Sequence, residues 1–206
     1  MFALIENQQI TKFYSGNKGV TLGDIQYPRS IFTLWSEAER NAIGIFEVTV
    51  DTTNKKDEQW YINTNVSYGV ESNKAVGSYG AATAKAHADT TWTQADSDNG
   101  DLPSDKSVGD IKTRGLKYNL IQTIKKQAAG ILQDTDWYIT RKADAGTAVP
   151  SSITTHRAAV RTKAAEQETA ITNASDTPAL ETLYTYTEQE DGSVTRPLGE
   201  LPTLES

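Results

Sequence analysis

His87 and His156 are the two histidines of this chain, which has no cysteine. A catalytic histidine needs a nucleophile and an orienting acid within hydrogen-bond reach. No serine here sits in a G-x-S-x-G elbow. His87 and His156 also fall in segments of different pattern, so they are not expected to share a site. His156 lies at helical spacing from Ile153 and Val160, which places it on a helix seam with a ring nitrogen satisfied by a neighbour. The absence of cysteine excludes disulfides, thiol catalysis and cysteine-based zinc sites. The sequence contains no G-x-x-x-x-G-K-[ST] phosphate loop, no G-x-G-x-x-G dinucleotide turn and no H-E-x-x-H zinc helix. Nothing in it calls for a cofactor, and the chain is expected not to be an enzyme.

One metal pattern stands out, Asp96-Ser-Asp98-Asn-Gly100-Asp101. Alternating oxygen ligands before a glycine resemble a calcium loop. The match is weak, because Asp101 follows the glycine and no glutamate closes the loop. A solvated acidic linker is the preferred reading of Asp96, Asp98 and Asp101. Glu37 and Glu39 are explained by helix capping and the helix dipole. Glu166 and Glu168 fall on an exposed helical face, where nothing would raise a carboxyl pKa for acid–base work.

The four tryptophans are Trp35, Trp60, Trp92 and Trp137. Rings of this size are normally used in cores or as staples. Trp35 precedes a capping box at Ser36–Glu39 and is placed to staple that helix against Ile43 or a strand. Trp92 borders a polar stretch and is expected to be exposed and partner-facing. Trp137 is expected to anchor the hinge of a helical hairpin.

The elements around these residues form two regimes. Phe2 to Glu6 and Ile10 to Tyr14 read as a hairpin around Asn7-Gln8-Gln9. Val20 to Tyr27, Ile45 to Val50, Trp60 to Asn63, Asn65 to Val70 and Ala75 to Tyr79 supply further strands, and Ala81 to Ala88 is compatible with a helix. From Ile111 the period changes. Leu116, Leu120, Ile124, Ala128 and Ile131 share a helical face, and a second stripe runs through Ile153, His156, Val160, Ala164, Gln167 and Ile171. The second stripe is thin, so its helix packs lightly or takes a partner chain. Thr177-Pro178 ends it, with one more turn over Leu180 to Leu183. Asp191-Gly192 marks a closing hairpin.

The expected fold is α+β. A small, mainly antiparallel β domain with one short helix spans 1–88, and an acidic linker spans 89–110. A helical hairpin module spans 111–183. A β-hairpin and extended tail span 184–206, the tail disordered or laid along a partner.

Charge is segregated along the chain. The net charge is −7, which argues against nucleic acid as the main partner. Residues 111–170 carry ten Lys/Arg and five Asp/Glu, while residues 171–206 carry one basic and seven acidic residues. A basic helical unit therefore lies beside an acidic flank, read as internal balance or as an interface with an acidic neighbour. No apolar run is long enough for a transmembrane helix, so no membrane partner is expected. The start, MFALIENQQ, lacks the basic and apolar regions of a secretory signal.

The segment LQDTDWYITRKADAGTAVPSSITTHRAAVRTKA (residues 132–164) resembles a pattern in tail assembly chaperone-like and tail-fibre-associated proteins of bacteriophages. There a helix ends at a T-D-W step, here Thr135-Asp136-Trp137. A linker follows, and then a helix beginning Y-R-x-A-[LV]-R. Here that helix reads His156-Arg157-Ala158-Ala159-Val160-Arg161, with histidine in place of the usual tyrosine. The N-terminal MFALIENQQI and the segment around Leu34-Trp35-Ser36 are similar to virion-associated proteins of marine and cyanobacterial phages, where an L-W-S-x-x-E-R-x-x-[IL]-G-[IL] segment recurs. The resemblance covers about half the chain and carries no catalytic residue.

It implies a non-enzymatic structural component of a phage tail, at the baseplate or fibre, made in the host cytoplasm and located in the virion. The implied partners are other tail proteins, with a homo-oligomer also compatible. Trp35, Trp92, Trp137, His156, Arg157, Val160 and Arg161 would be its interaction and hinge residues. The alternatives are a fibre-assembly chaperone that leaves the finished virion and a host-glycan receptor module.

Overall fold

The computed structural model describes residues 1–204. The chain divides into two compact units, residues 1–83 and the residues from Ala84 onward. The fold is α+β, as the sequence predicts.

The first unit begins with strands β1 (Phe2–Glu6) and β2 (Gln9–Tyr14), then β3 (Val20–Leu22) and β4 (Ile25–Tyr27). Two short helices follow, α1 (Ile31–Leu34) and α2 (Glu37–Ala42), where the sequence suggested one. Strands β5 (Ile45–Asp51), β6 (Tyr61–Ile62), β7 (Val66–Glu71) and β8 (Lys74–Tyr79) complete the unit, and β9 (Thr83–Ala84) reaches its end. The main sheet has the order β2-β1-β5-β8-β7. Its pairings are antiparallel except β5 with β8, which is parallel. That parallel pair is long-range and leaves no local trace in the sequence.

Turn chemistry sets the hairpin registers. Asn7 and Gln8 both take positive φ (52° and 63°), as do Ser72 and Asn73 (48° and 61°). Two consecutive residues of this kind match the twist of antiparallel strands. The two outermost strands of the sheet meet through side chains. The Phe13 ring stands edge-on to Tyr68 at 4.9 Å, and Gln8 Nε2 donates to Asn73 Oδ1 at 2.9 Å. Gly77 lies directly opposite Tyr68, and a Cβ there would sit 2.8 Å from that ring. The missing side chain makes room for the tyrosine.

The core of this unit is Val20, Ile31, Phe32 and Ile45, ringed by Phe2, Leu4, Tyr14, Leu22, Tyr27, Trp35 and Ile43. Ser36 and Glu39 form the full capping box at the start of α2. Trp35 is half-buried beside it, edge-on to Tyr27 at 5.9 Å. Of the two staple partners expected for Trp35, the strand ring of Tyr27 meets it, and Ile43 packs against the same core.

The second unit holds β10 (Thr90–Thr91), α3 (Gln94–Asp98), β11 (Ile111–Thr113), α4 (Leu116–Gln133), α5 (Asp136–Ala145), α6 (Ser151–Asn173), α7 (Thr177–Tyr184), β12 (Thr187–Glu188) and β13 (Val194–Thr195). Three expectations are corrected here. The stretch 81–88 is not helical. The stretch 89–110 is not a bare linker, because β10 pairs with β11 and α3 forms in the excursion between them. Ile111 to Thr113, expected as the start of the first long helix, form that strand instead.

Gly115 explains why α4 starts where it does. Its backbone comes so close to Ala88 that an added Cβ would lie 2.3 Å from the Ala88 carbonyl. The Gly115 N–H donates to Asp89 Oδ1 at 2.7 Å, and the next two N–H groups donate to the carbonyls of Ala86 and His87, each at 3.0 Å. Amides that would be orphaned at the helix start are thereby satisfied.

Helices α4 and α6 pack antiparallel. Lys117 near the start of α4 donates to the Thr172 carbonyl near the end of α6 at 2.8 Å, and Lys125 pairs with Glu168 at 3.4 Å. All six predicted stripe positions of α6 are buried: Ile153, His156, Val160, Ala164, Gln167 and Ile171. Each fully buried aliphatic side chain contributes about 1.5–3 kcal/mol. The closing hairpin forms as predicted, with Gly192 at φ 79° in its turn. Leu198 beyond it is buried, so the described part of the tail is anchored. Glu205 and Ser206, the end of the predicted tail, lie outside the described residues.

Candidate functional site

The segment between α4 and α6 is where the second unit departs from a simple hairpin. A third helix, α5, is inserted, and Arg157 of α6 holds its junction with α4. Arg157 is 6% exposed. Its Nη1 donates to the Leu132 carbonyl at 2.7 Å and to Thr135 Oγ1 at 2.6 Å, while its Nη2 meets Asp136 Oδ1 at 2.8 Å. The planar guanidinium thus binds the last turn of α4, the buried threonine at the bend and the first residue of α5 together. Three separate acceptors suit arginine and not lysine. His156 lies next to it on the same buried seam.

Trp137 is not the hinge anchor. It lies in the first turn of α5, half exposed, stacked on Tyr138 at 3.7 Å with Arg141 5.6 Å above its ring. The physical reason is helical phase: α5 begins at Asp136, which turns the Asp136 carboxylate toward Arg157 and the adjacent ring away from the seam. Thr135 and Asp136, only incidental in the sequence reading, do the bridging. A polar residue at 3.6-residue spacing beside a helix break was the available signal for them.

None of the ten residues of α5 is buried, and Ile139 is exposed along with Trp137. The helix stops at Gly146, whose φ of 69° supplies the left-handed C-terminal geometry. A groove of about 330 Å³ runs along it, lined by Ile139, Lys142, Ala148, Val149, Arg157 and Arg161. Val160 is fully buried in the seam and is not part of this surface. Arg161 is exposed at the groove. A second cleft, about 480 Å³, lies between α4 and the C-terminal segment and is lined by Asp134, Gln167, Arg196 and Glu200 among others. Arg196 and Glu200 pair there through two contacts, of 2.7 and 2.8 Å.

Trp92 is half-buried, not fully exposed as expected. Lys112 Nζ sits 4.4 Å over its ring, and its backbone bonds to Asp110 and Gly109. The calcium pattern is put to another use. Asp96 caps α3 through Thr93 and pairs with Lys112 at 2.5 Å. These contacts, that of Lys112 first, lower its pKa to about 2. Asp98 accepts from Gln94 at 2.8 Å. Among the described residues no group of three His, Asp or Glu side chains is arranged to hold a metal ion.

His87 contributes its carbonyl to the start of α4, and His156 lies in a separate seam, so the two histidines do not share a site. What the geometry offers is a surface: an uncovered helix, two exposed large apolar side chains and a cationic groove. Among the described residues no helix is long and apolar enough to cross a membrane. Comparison with family models, with curated proteins and with solved structures finds no match to this chain.

Proposed function

We propose that this protein is a non-enzymatic structural component of a bacteriophage tail, at the baseplate or fibre, which acts by docking to other tail proteins. The observation that carries the docking role is α5, a helix with no buried residue that presents Trp137 and Ile139 at the surface. An apolar patch beside unpaired charge is characteristic of an interaction surface. The Arg157 latch supports this reading, because it fixes a helix that burial alone would not hold. The tail setting rests on the resemblance of residues 132–164 and of the Trp35 segment to phage virion proteins.

Quantitative mass spectrometry of purified virions tests the proposal. The expected result is the chain at a fixed stoichiometry with the tail proteins. Its presence during assembly and absence from the finished particle would favour a fibre-assembly chaperone instead.

A further inference from the structure

The second unit carries two exposed surfaces of opposite charge, and each has an apolar element beside it. One is the groove along α5, where Lys142 and Arg161 flank Ile139, Ala148 and Val149. The other is the hairpin of β12 and β13, where Glu188, Glu190 and Asp191 surround the turn and Val194 is 63% exposed. Among the described residues neither Lys142 nor Arg161 has a carboxylate partner, and neither Glu188 nor Glu190 has a cationic one. Among the described residues no ion pair joins the two surfaces within one copy.

We propose that the acidic hairpin of one copy docks into the basic groove of a second copy. Glu188 and Glu190 would face Lys142 and Arg161, and Val194 would enter the groove. A 330 Å³ groove with three aliphatic walls is ample for one valine side chain. The occupant is a second copy because the chain supplies both complementary halves, each without its own partner. Two different patches meet in such a contact, so it is heterologous and propagates head to tail, closing into a ring or continuing as a filament. Charges at its rim would set register and encounter rate, and reversing one side would bring like charges together and oppose the contact.

Sedimentation velocity of the full chain at increasing concentration tests this. Self-association is expected, and raising the salt from about 0.05 M to about 0.5 M should weaken it as screening shortens. The Lys142→Glu/Arg161→Glu variant should dissociate at least about tenfold more readily, as should Glu188→Lys/Glu190→Lys. The neutral pair Lys142→Gln/Arg161→Gln should move in the same direction. All four residues are exposed, so far-ultraviolet dichroism should match the wild type. Mixing the two reversed variants re-creates both complementary contacts and should restore association that neither shows alone. A monomeric wild-type chain at all concentrations overturns the proposal. So do reversed variants that associate like the wild type, or a mixture that stays monomeric. Self-association of the purified chain and its presence in the virion are separate readouts, so either idea can fail alone.

Discussion

Arg157 Nη1 donates to the carbonyl of Leu132 at 2.7 Å, across the junction of three helices. Leu132 lies in the last turn of α4, where carbonyls lose their helical partners. A cation at that end also interacts favourably with the helix dipole. The same guanidinium holds Asp136 in the first turn of α5, where negative charge is favoured. One side chain therefore ties the end of one helix to the start of the next.

Replacing Arg157 should be costly. Arg157→Ala removes the buried guanidinium that ties Leu132, Thr135 and Asp136 together. It leaves the Leu132 carbonyl only the Thr135 hydroxyl and amide, at 3.0 and 3.1 Å, so a loss of about 2 kcal/mol is expected for the charge-assisted bonds. Arg157→Lys should recover little of it, because an ammonium lacks the planar fork. Asp136→Asn should cost less than about 1 kcal/mol, since that carboxylate is largely exposed. Urea denaturation of the three variants gives the ordering.

Trp137→Ala should change stability by less than about 1 kcal/mol, as expected for a half-exposed side chain outside the core. On the proposed tail role, it should nevertheless lower the amount of the chain that mass spectrometry finds in purified virions. A thermal shift as large as that of Arg157→Ala would return Trp137 to the hinge.

Gly115→Ala should destabilise the second unit by about 2 kcal/mol or more, by overpacking against backbone that cannot rotate away. The clash is with the Ala88 carbonyl, 2.3 Å from the added Cβ. Gly130→Ala is the control. Nothing lies near its Cβ position, so alanine should stabilise the helix by up to about 1 kcal/mol. Calorimetric unfolding of the two variants should show shifts of opposite sign.

Asp96 gives a pH signature. Its carboxylate is lowered from 3.8 to about 2 by Lys112 and by the Thr93 hydroxyl and amide. A lowered folded pKa means that its contribution is present above the ordinary value and is lost as pH falls through about 2. NMR titration of the Asp96 carboxyl carbon should show a midpoint near 2. In Lys112→Ala the midpoint should move up toward 3.8. A wild-type midpoint at 3.8 or above contradicts the pairing.

The helical seam was legible because burial in a helix follows a fixed period. The α6 stripe from Ile153 to Ile171 was readable despite containing His156 and Gln167. The capping box at Ser36–Glu39 and the Asp191-Gly192 turn were readable for the same reason: short-range geometry demands particular residue types. The structure of the stretch 89–110 differs from its linker-like composition. Its acidic, glycine-bearing composition is that of a linker, yet β10 reaches across it to β11 and α3 is capped by its own aspartate.

The sequence by itself determined the strongly patterned elements: the first hairpin around Asn7-Gln8, the helical stripes of α4 and α6, the turn at Asp191-Gly192, and how charge is divided along the chain. Tertiary structure alone decided the parallel pairing of β5 with β8, the meeting of Phe13 with Tyr68, and the use of Arg157 and not Trp137 at the helix junction. Each of these is a contact between residues far apart in the chain or a matter of helical phase. Residue type limits what such a contact can be made of, but only the folded backbone brings its two sides together.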